Sequence, residues 1–221
     1  MFTLWLGNSY LIKVYDDFLP DAFADKIYDL HTIGNFNWFF ASSSVLARGI
    51  PTDNLDVLYK KVTDTDITVG YKGGDISHVL DLNTIDTPYL VHSICNDGQS
   101  TSPHFEQVSE MLKYLDIERG EYSLHRVKSN LCFNVSGYKK TNYQPIHLDK
   151  PSKGYMSLLY YVNDSDGDTI FFDKNIKVTK RVNPKKNRAI LFDSNILHAG
   201  SNPIKSKKRI VVNTIFKMEK I

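Results

Sequence analysis

The sequence predicts a mainly β chain with flanking helices, an α+β protein, on three observations. From residue 123 onward, short runs recur at period 2 between turn signals, the pattern of a sandwich or barrel. Ahead of that point, two stretches at helical period interrupt shorter strands. Of the 221 residues 42% are hydrophobic and 12% aromatic, which supplies a sizeable core for one domain. We read residues 1–221 as a single domain with a helical N-terminal half, its strands and supporting helices lying over 1–124 and the β core over 125–217.

In chain order, the apolar opening Met1 to Asn8 is short and lacks a basic leader. It is expected to be a buried first strand, neither a secretory signal nor a membrane span. Residues 9–15 read as a strand. Asp16 to Pro20 then turns the chain into a helix over 21–31, with Phe23, Ile27 and Leu30 near one face and Gly34 as its stop. The aromatic run Phe36, Trp38, Phe39 and Phe40 is expected to be a core strand. Residues 50–80 mix Asp, Thr and Gly and predict a loop-rich segment. A second helix is expected to open at Ser102-Pro103, with Phe105, Val108, Met111, Leu112 and Leu115 as its apolar stripe. The core runs are Leu124 to Val135, Ile146 to Asp149, Met156 to Val162, Thr169 to Phe172, Lys177 to Val182, Ala189 to Phe192 and Arg209 to Phe216.

Charge divides unevenly along the chain. Residues 1–124 hold 8 Lys and Arg against 18 Asp and Glu, and residues 125–221 hold 19 against 7. Such a split fits halves that face one another, a basic half that meets an anionic partner, or a solvated basic rim. The two cysteines, Cys95 and Cys132, lie far apart without a CxxC and suit a reducing, cytoplasmic compartment.

The chemistry gathers around His147-Leu148-Asp149, because a strand aims residues i and i+2 at one point. His198 follows in a turn with Ala199-Gly200. Two histidines and one carboxylate can occupy one face of a metal and leave the opposite positions open, as in non-haem Fe(II) oxygenases. The remaining histidines singled out, His31, His92 and His104, lack a paired carboxylate and read as structural. Arg209 opens an apolar strand and must find an anion, either a protein carboxylate or a ligand's.

His147-x-Asp149, Leu159-Tyr160-Tyr161-Val162-Asn163, Gly167-Asp168-Thr169, Pro184, Ala189-Ile190-Leu191-Phe192, His198 and Arg209 together resemble the catalytic core of the 2-oxoglutarate and Fe(II)-dependent dioxygenases. The branch they are most similar to is the prolyl 4-hydroxylase-like one. The resemblance covers about residues 125–217, with the first 120 residues matched loosely. It implies a double-stranded β-helix, a jelly roll with the metal at its open mouth. It implies that His147, Asp149 and His198 hold Fe(II), and that Arg209 and Tyr161 hold the far carboxylate of 2-oxoglutarate. The implied reaction uses O2, releases succinate and CO2, and hydroxylates a C–H bond, of a peptidyl proline by analogy.

Arg126, Lys128, Asn130, Cys132 and Asn134 alternate onto one face of their strand, and Asn130 and Asn134 are expected to contact co-substrate or substrate. Two places depart from the family's pattern. Val211 stands where many members have a serine, a hydrogen bond that Asn213 could replace; and the turn reads Asp166-Gly167-Asp168-Thr169. A calcium loop from Asp164 is disfavoured, since its twelfth residue is Asn175 and not Glu. Two other classes compete with the hydroxylase: a non-catalytic jelly-roll binding or structural protein, and a divalent-metal hydrolase or isomerase using the same ligands. The substrate is expected to be a peptide, protein or small molecule rather than a nucleic acid, with no membrane partner. The basic stretch Lys205 to Lys208 suits an anionic substrate or a solvated loop.

Overall fold

The computed structural model describes residues 12–42, 60–61, 68–72, 75–115 and 122–219. The expected strand over 1–8 lies outside them. Among the described residues no helix is long and apolar enough to cross a membrane.

The elements in order are β1 (Ile12–Tyr15), α1 (Asp21–Thr32), β2 (Phe39–Ala41), β3 (Lys60–Lys61), β4 (Thr68–Lys72), β5 (Asp75–Leu80), β6 (Tyr89–Asn96), β7 (Gln99–Ser100) and α2 (Phe105–Ser109). A 3-10 turn, Glu110–Tyr114, continues α2. The rest is strand: β8 (Tyr122–Phe133), β9 (Ile146–His147), β10 (Tyr155–Tyr161), β11 (Thr169–Phe172), β12 (Val178–Val182), β13 (Arg188–Asp193), β14 (His198–Gly200) and β15 (Lys208–Met218).

Two antiparallel sheets result. The major one runs β1-β13-β10-β15-β8-β6-β2, with β7 on β6, and the minor one runs β12-β11-β14-β9-β5-β4-β3. From β8 onward the chain passes back and forth between the sheets, so that β8, β10, β13 and β15 face β9, β11, β12 and β14. That alternation is the jelly-roll core. Leu159, Tyr161, Phe171, Val182, Ile190, Phe192, Ile196 and Val211 fill its interior. On the outer face of the major sheet, Ile27 of α1 and Val108, Met111 and Leu112 of the second helical stretch pack against Val127, Leu158, Tyr160 and Val212.

The structure changes three readings. The N-terminal half carries more strand than helix, because β2, β6 and β7 extend the major sheet and β3 to β5 extend the minor one. The loop-rich 50–80 stretch contains the β4–β5 hairpin, whose register shift at Gly70/Tyr71 hides its period. Of the aromatic run only Phe36 is buried; Phe39 and Phe40 are 59% and 71% exposed, since β2 is a three-residue strand at the end of the sheet. The charge asymmetry is partly resolved by ion pairs between the halves, Arg188 with Asp16, Lys186 with Asp25 and Lys185 with Asp17.

Candidate active site

His147 and His198 are cross-strand partners on β9 and β14, so their side chains share the inner face of the minor sheet. Asp149 lies just past the end of β9, where its backbone N–H donates to the Ser194 carbonyl. The three side chains bring one donor atom each within 4.8 Å of one another. His198 Nε2 lies 3.6 Å from Asp149 Oδ2.

Each histidine is set for ligation. The Nδ1 of His147 faces the Pro145 carbonyl at 3.0 Å, and that of His198 faces the Ile196 carbonyl at 2.9 Å. A carbonyl only accepts, so Nδ1 carries a proton in each ring, and the tautomer this fixes offers Nε2 to a metal. Burial, reinforced by His198, pushes the His147 pKa well below its usual value and keeps the ring neutral.

Asp149 is gripped from the major sheet. Its Oδ1 accepts from Arg126 Nη2 at 3.1 Å and Asn213 Nδ2 at 2.8 Å, and its Oδ2 accepts from Ser157 Oγ at 2.7 Å. Burial alone would raise this carboxyl, but His198, Arg126, His147 and the Ser157 hydroxyl outweigh it and hold the pKa below the usual range. Oδ2, with one hydrogen bond, keeps capacity for a metal. Two imidazoles whose Nε2 atoms converge on an ionised carboxylate, each backed by oriented partners, fit an Fe(II) ion.

Arg209 is buried on β15, with Nε donating to the Gly167 carbonyl and Nη2 to Thr169 Oγ1, both at 2.8 Å. A Cβ at Gly167 would lie 2.4 Å from the Ser201 carbonyl oxygen, so the turn that supplies this acceptor requires glycine. None of the ion pairs among the described residues involves Arg209. The nearby carboxylate of Asp168 is engaged by Lys140 and Arg181 instead. A buried guanidinium held by neutral groups, with no carboxylate partner among the described residues, fits the far carboxylate of 2-oxoglutarate.

The remaining expected residues are placed as follows. Tyr161 lies beneath Arg209, 5.6 Å from ring centroid to guanidinium carbon, and its hydroxyl donates to Thr169 Oγ1 at 2.6 Å. Asn130 sits on the inner face of β8 opposite Val211, and its Oδ1 is buried without a partner. Asn134 falls just beyond β8, exposed, with its amide on the Ile204 carbonyl. Val211 packs in the interior, and Asn213 spends its amide on Asp149. Sequence reasoning passed over Thr169 as an anchor and Ser157 and Arg126 as supports of Asp149. The signal available for both supports is strand alternation, which places Ser157 on the face of Tyr161 and Arg126 on that of Asn130.

Residues 133–217, which take in the three clustered donors, Tyr161 and Arg209, match the family model of the 2OG-Fe(II) oxygenase superfamily. This stretch is a 2OG-Fe(II) oxygenase domain. The chain is an Fe(II)/2-oxoglutarate-dependent dioxygenase, and Fe(II), 2-oxoglutarate and O2 are the cofactor and co-substrates of its oxygenase domain. The fold is similar to that of SnoN, the α-ketoglutarate-dependent non-haem epimerase of nogalamycin biosynthesis, at a TM-score of 0.51 and 8% identity over 94% of this chain and 78% of that chain. A 2OG-Fe(II) oxygenase-family oxidoreductase from Burkholderia pseudomallei gives 0.49 at 16% identity, covering 90% and 92%. The collagen prolyl hydroxylase of Paramecium Bursaria Chlorella virus-1 gives 0.47 at 14%, covering 94% and 96%. No curated protein matches the sequence.

Proposed function

We propose that the oxygenase domain hydroxylates a C–H bond of its substrate, with His147, Asp149 and His198 holding Fe(II) and Arg209 holding the far carboxylate of 2-oxoglutarate. The observation that carries this reading is Arg209, a buried cation with no carboxylate partner among the described residues, in the same interior as the three clustered donors. Iron bound there supplies the oxidising chemistry, with O2 and 2-oxoglutarate consumed and succinate and CO2 released. The chain's own residues do the rest. Thr169 and Gly167 fix the guanidinium, Tyr161 supports it from below, and Asn130 presents an amide along the wall between that anchor and the metal donors. Arg126, Asn213 and Ser157 hold the aspartate in one orientation.

A peptidyl proline is the substrate that the prolyl 4-hydroxylase-like resemblance suggests. Two free, buried thiols support a reducing, cytoplasmic setting. A non-catalytic jelly roll, or a hydrolase on the same ligands, leaves the unpaired Arg209 without a role.

Anaerobic addition of Fe(II) and 2-oxoglutarate is expected to give a visible charge-transfer absorption, and aerobic incubation to release succinate. His147→Ala should lose both. Arg209→Ala should weaken 2-oxoglutarate binding by about 2 to 4 kcal/mol, the scale of removing one partner of a buried charged pair. Unchanged co-substrate affinity in that variant would refute its assigned role. Screening peptides, nucleosides and metabolites for stimulated succinate release identifies the substrate.

A further inference from the structure

The minor sheet carries a third imidazole beside the metal donors. His78 on β5 is the direct cross-strand partner of His147 on β9, just as His147 is of His198 on β14. Paired residues project from the same face, so the three rings form a row across adjacent strands. His78 is buried, and its ring centroid lies 5.9 Å from that of His147; His147 and His198 are 4.5 Å apart. On the far side of β14, β11 supplies Thr169, which anchors Arg209. Across the sheet the order is therefore co-substrate anchor, His198, His147, His78. His78 stands on the side of the metal donors turned away from 2-oxoglutarate.

Metal geometry gives those spacings meaning. With metal–nitrogen bonds of about 2.0–2.1 Å, each ring centroid lies about 3.2 Å from the ion, so ligands at a right angle have centroids about 4.5 Å apart and tetrahedral ones about 5.2 Å. His147 and His198 already have the right-angle spacing. Measured to His147, His78 is less than 1 Å beyond the tetrahedral spacing; from His198 it is separated by the strand that carries His147, and its nitrogens lie outside the 4.8 Å cluster of the other three donors. Joining that cluster takes a rotation of its side chain.

We propose that His78 is a switchable fourth ligand for zinc-class divalent ions. Ions that favour four-coordinate nitrogen and oxygen donors would draw it in, converting the open two-histidine, one-carboxylate face into a closed set of three histidines and Asp149. Asp149 suits the closed form, since Arg126 and Asn213 already occupy Oδ1 and leave Oδ2 as the single ligating oxygen. A four-coordinate ion so enclosed has no adjacent positions left for the keto acid, so the closed form excludes 2-oxoglutarate. This proposal rests on the metal role given above to His147, Asp149 and His198.

The test uses the full chain and metals alone. Cobalt(II), a spectroscopic stand-in for zinc, should give the intense visible bands of a four-coordinate ion in the wild type. His78→Phe, which keeps a ring in the buried position, should give the weak bands of six-coordinate cobalt and bind Zn2+ roughly 10- to 100-fold more weakly. Mn2+, which accepts six hard donors, should bind both proteins alike, whereas His147→Ala should lose Mn2+ and Zn2+ together. An unchanged cobalt spectrum and unchanged Zn2+ affinity in His78→Phe overturn the proposal while Mn2+ binding leaves the triad standing. A folded wild type that takes up none of the three metals removes the triad reading and this one with it. If circular dichroism shows His78→Phe unfolded, His78→Gln is put through the same titrations.

Discussion

Thr169 Oγ1 accepts two hydrogen bonds, from Tyr161 at 2.6 Å and from Arg209 Nη2 at 2.8 Å, and all three side chains are buried. One hydroxyl therefore orients both groups assigned to the far end of the co-substrate. Thr169→Val keeps the shape and removes the acceptor. Tyr161 retains the Val182 carbonyl at 3.2 Å, but Nη2 loses its 2.8 Å bond to the Thr169 hydroxyl. The cost of stranding such a charged donor is about 1–3 kcal/mol. We expect urea unfolding of Thr169→Val to register a loss of that size, and 2-oxoglutarate binding to weaken by about tenfold, the equivalent of roughly 1.4 kcal/mol. Bound 2-oxoglutarate can itself satisfy Nη2, so a variant that loses stability and gains co-substrate affinity would show that Thr169 competes with the ligand instead of orienting for it.

Elements meet through groups that period and spacing do not reveal. β11 was legible with its full bounds, because Thr169 to Phe172 is a β-branched and aromatic run that ends at Asp173 in a turn. His147, Asp149 and His198 were legible as a donor set. The grip of Arg126 and Asn213 on Asp149 was not, since it depends on β15 lying against both β8 and β10, a register fixed by packing across 64 residues of chain between Asn213 and Asp149. β14 was read as a turn because three residues give no period. Asn187 is a further case. It sits at φ 65°, and its side chain bonds both the N–H and the C=O of Leu19, stitching the lead into α1 onto the β12–β13 connection. Asn187→Ala leaves two buried backbone groups unpaired and puts a less tolerant residue in the left-handed region. A loss of about 2–4 kcal/mol is expected in chemical denaturation. A loss below 0.5 kcal/mol would mean that water replaces the stitch.

For the whole molecule, α1 and the jelly roll behave as one cooperative unit if the histidine between them titrates with global unfolding. His31 Nδ1 donates to the Ile27 carbonyl at 2.7 Å, and Nε2 accepts from Ser129 Oγ on β8 at 2.8 Å. Both contacts suit the neutral ring. Burial lowers the His31 pKa from 6.5 to about 4, the Ile27 carbonyl opposes it, and His104 and His92 add to the lowering. The unfolded chain therefore binds a proton that the folded one refuses between these values. The contribution of the neutral ring is complete above pH 6.5 and is lost as pH falls toward 4, at up to about 1.4 kcal/mol per pH unit and about 3 kcal/mol in all. His104 and His125 are also lowered by burial and add to the same window. The diagnostic is thus the difference between proteins. Denaturation midpoints measured from pH 8 to pH 4 should fall less steeply for His31→Gln, which cannot take up the proton, than for the wild type. Parallel curves would mean that α1 detaches before the sheets unfold, with His31 titrating in a helix already free of β8.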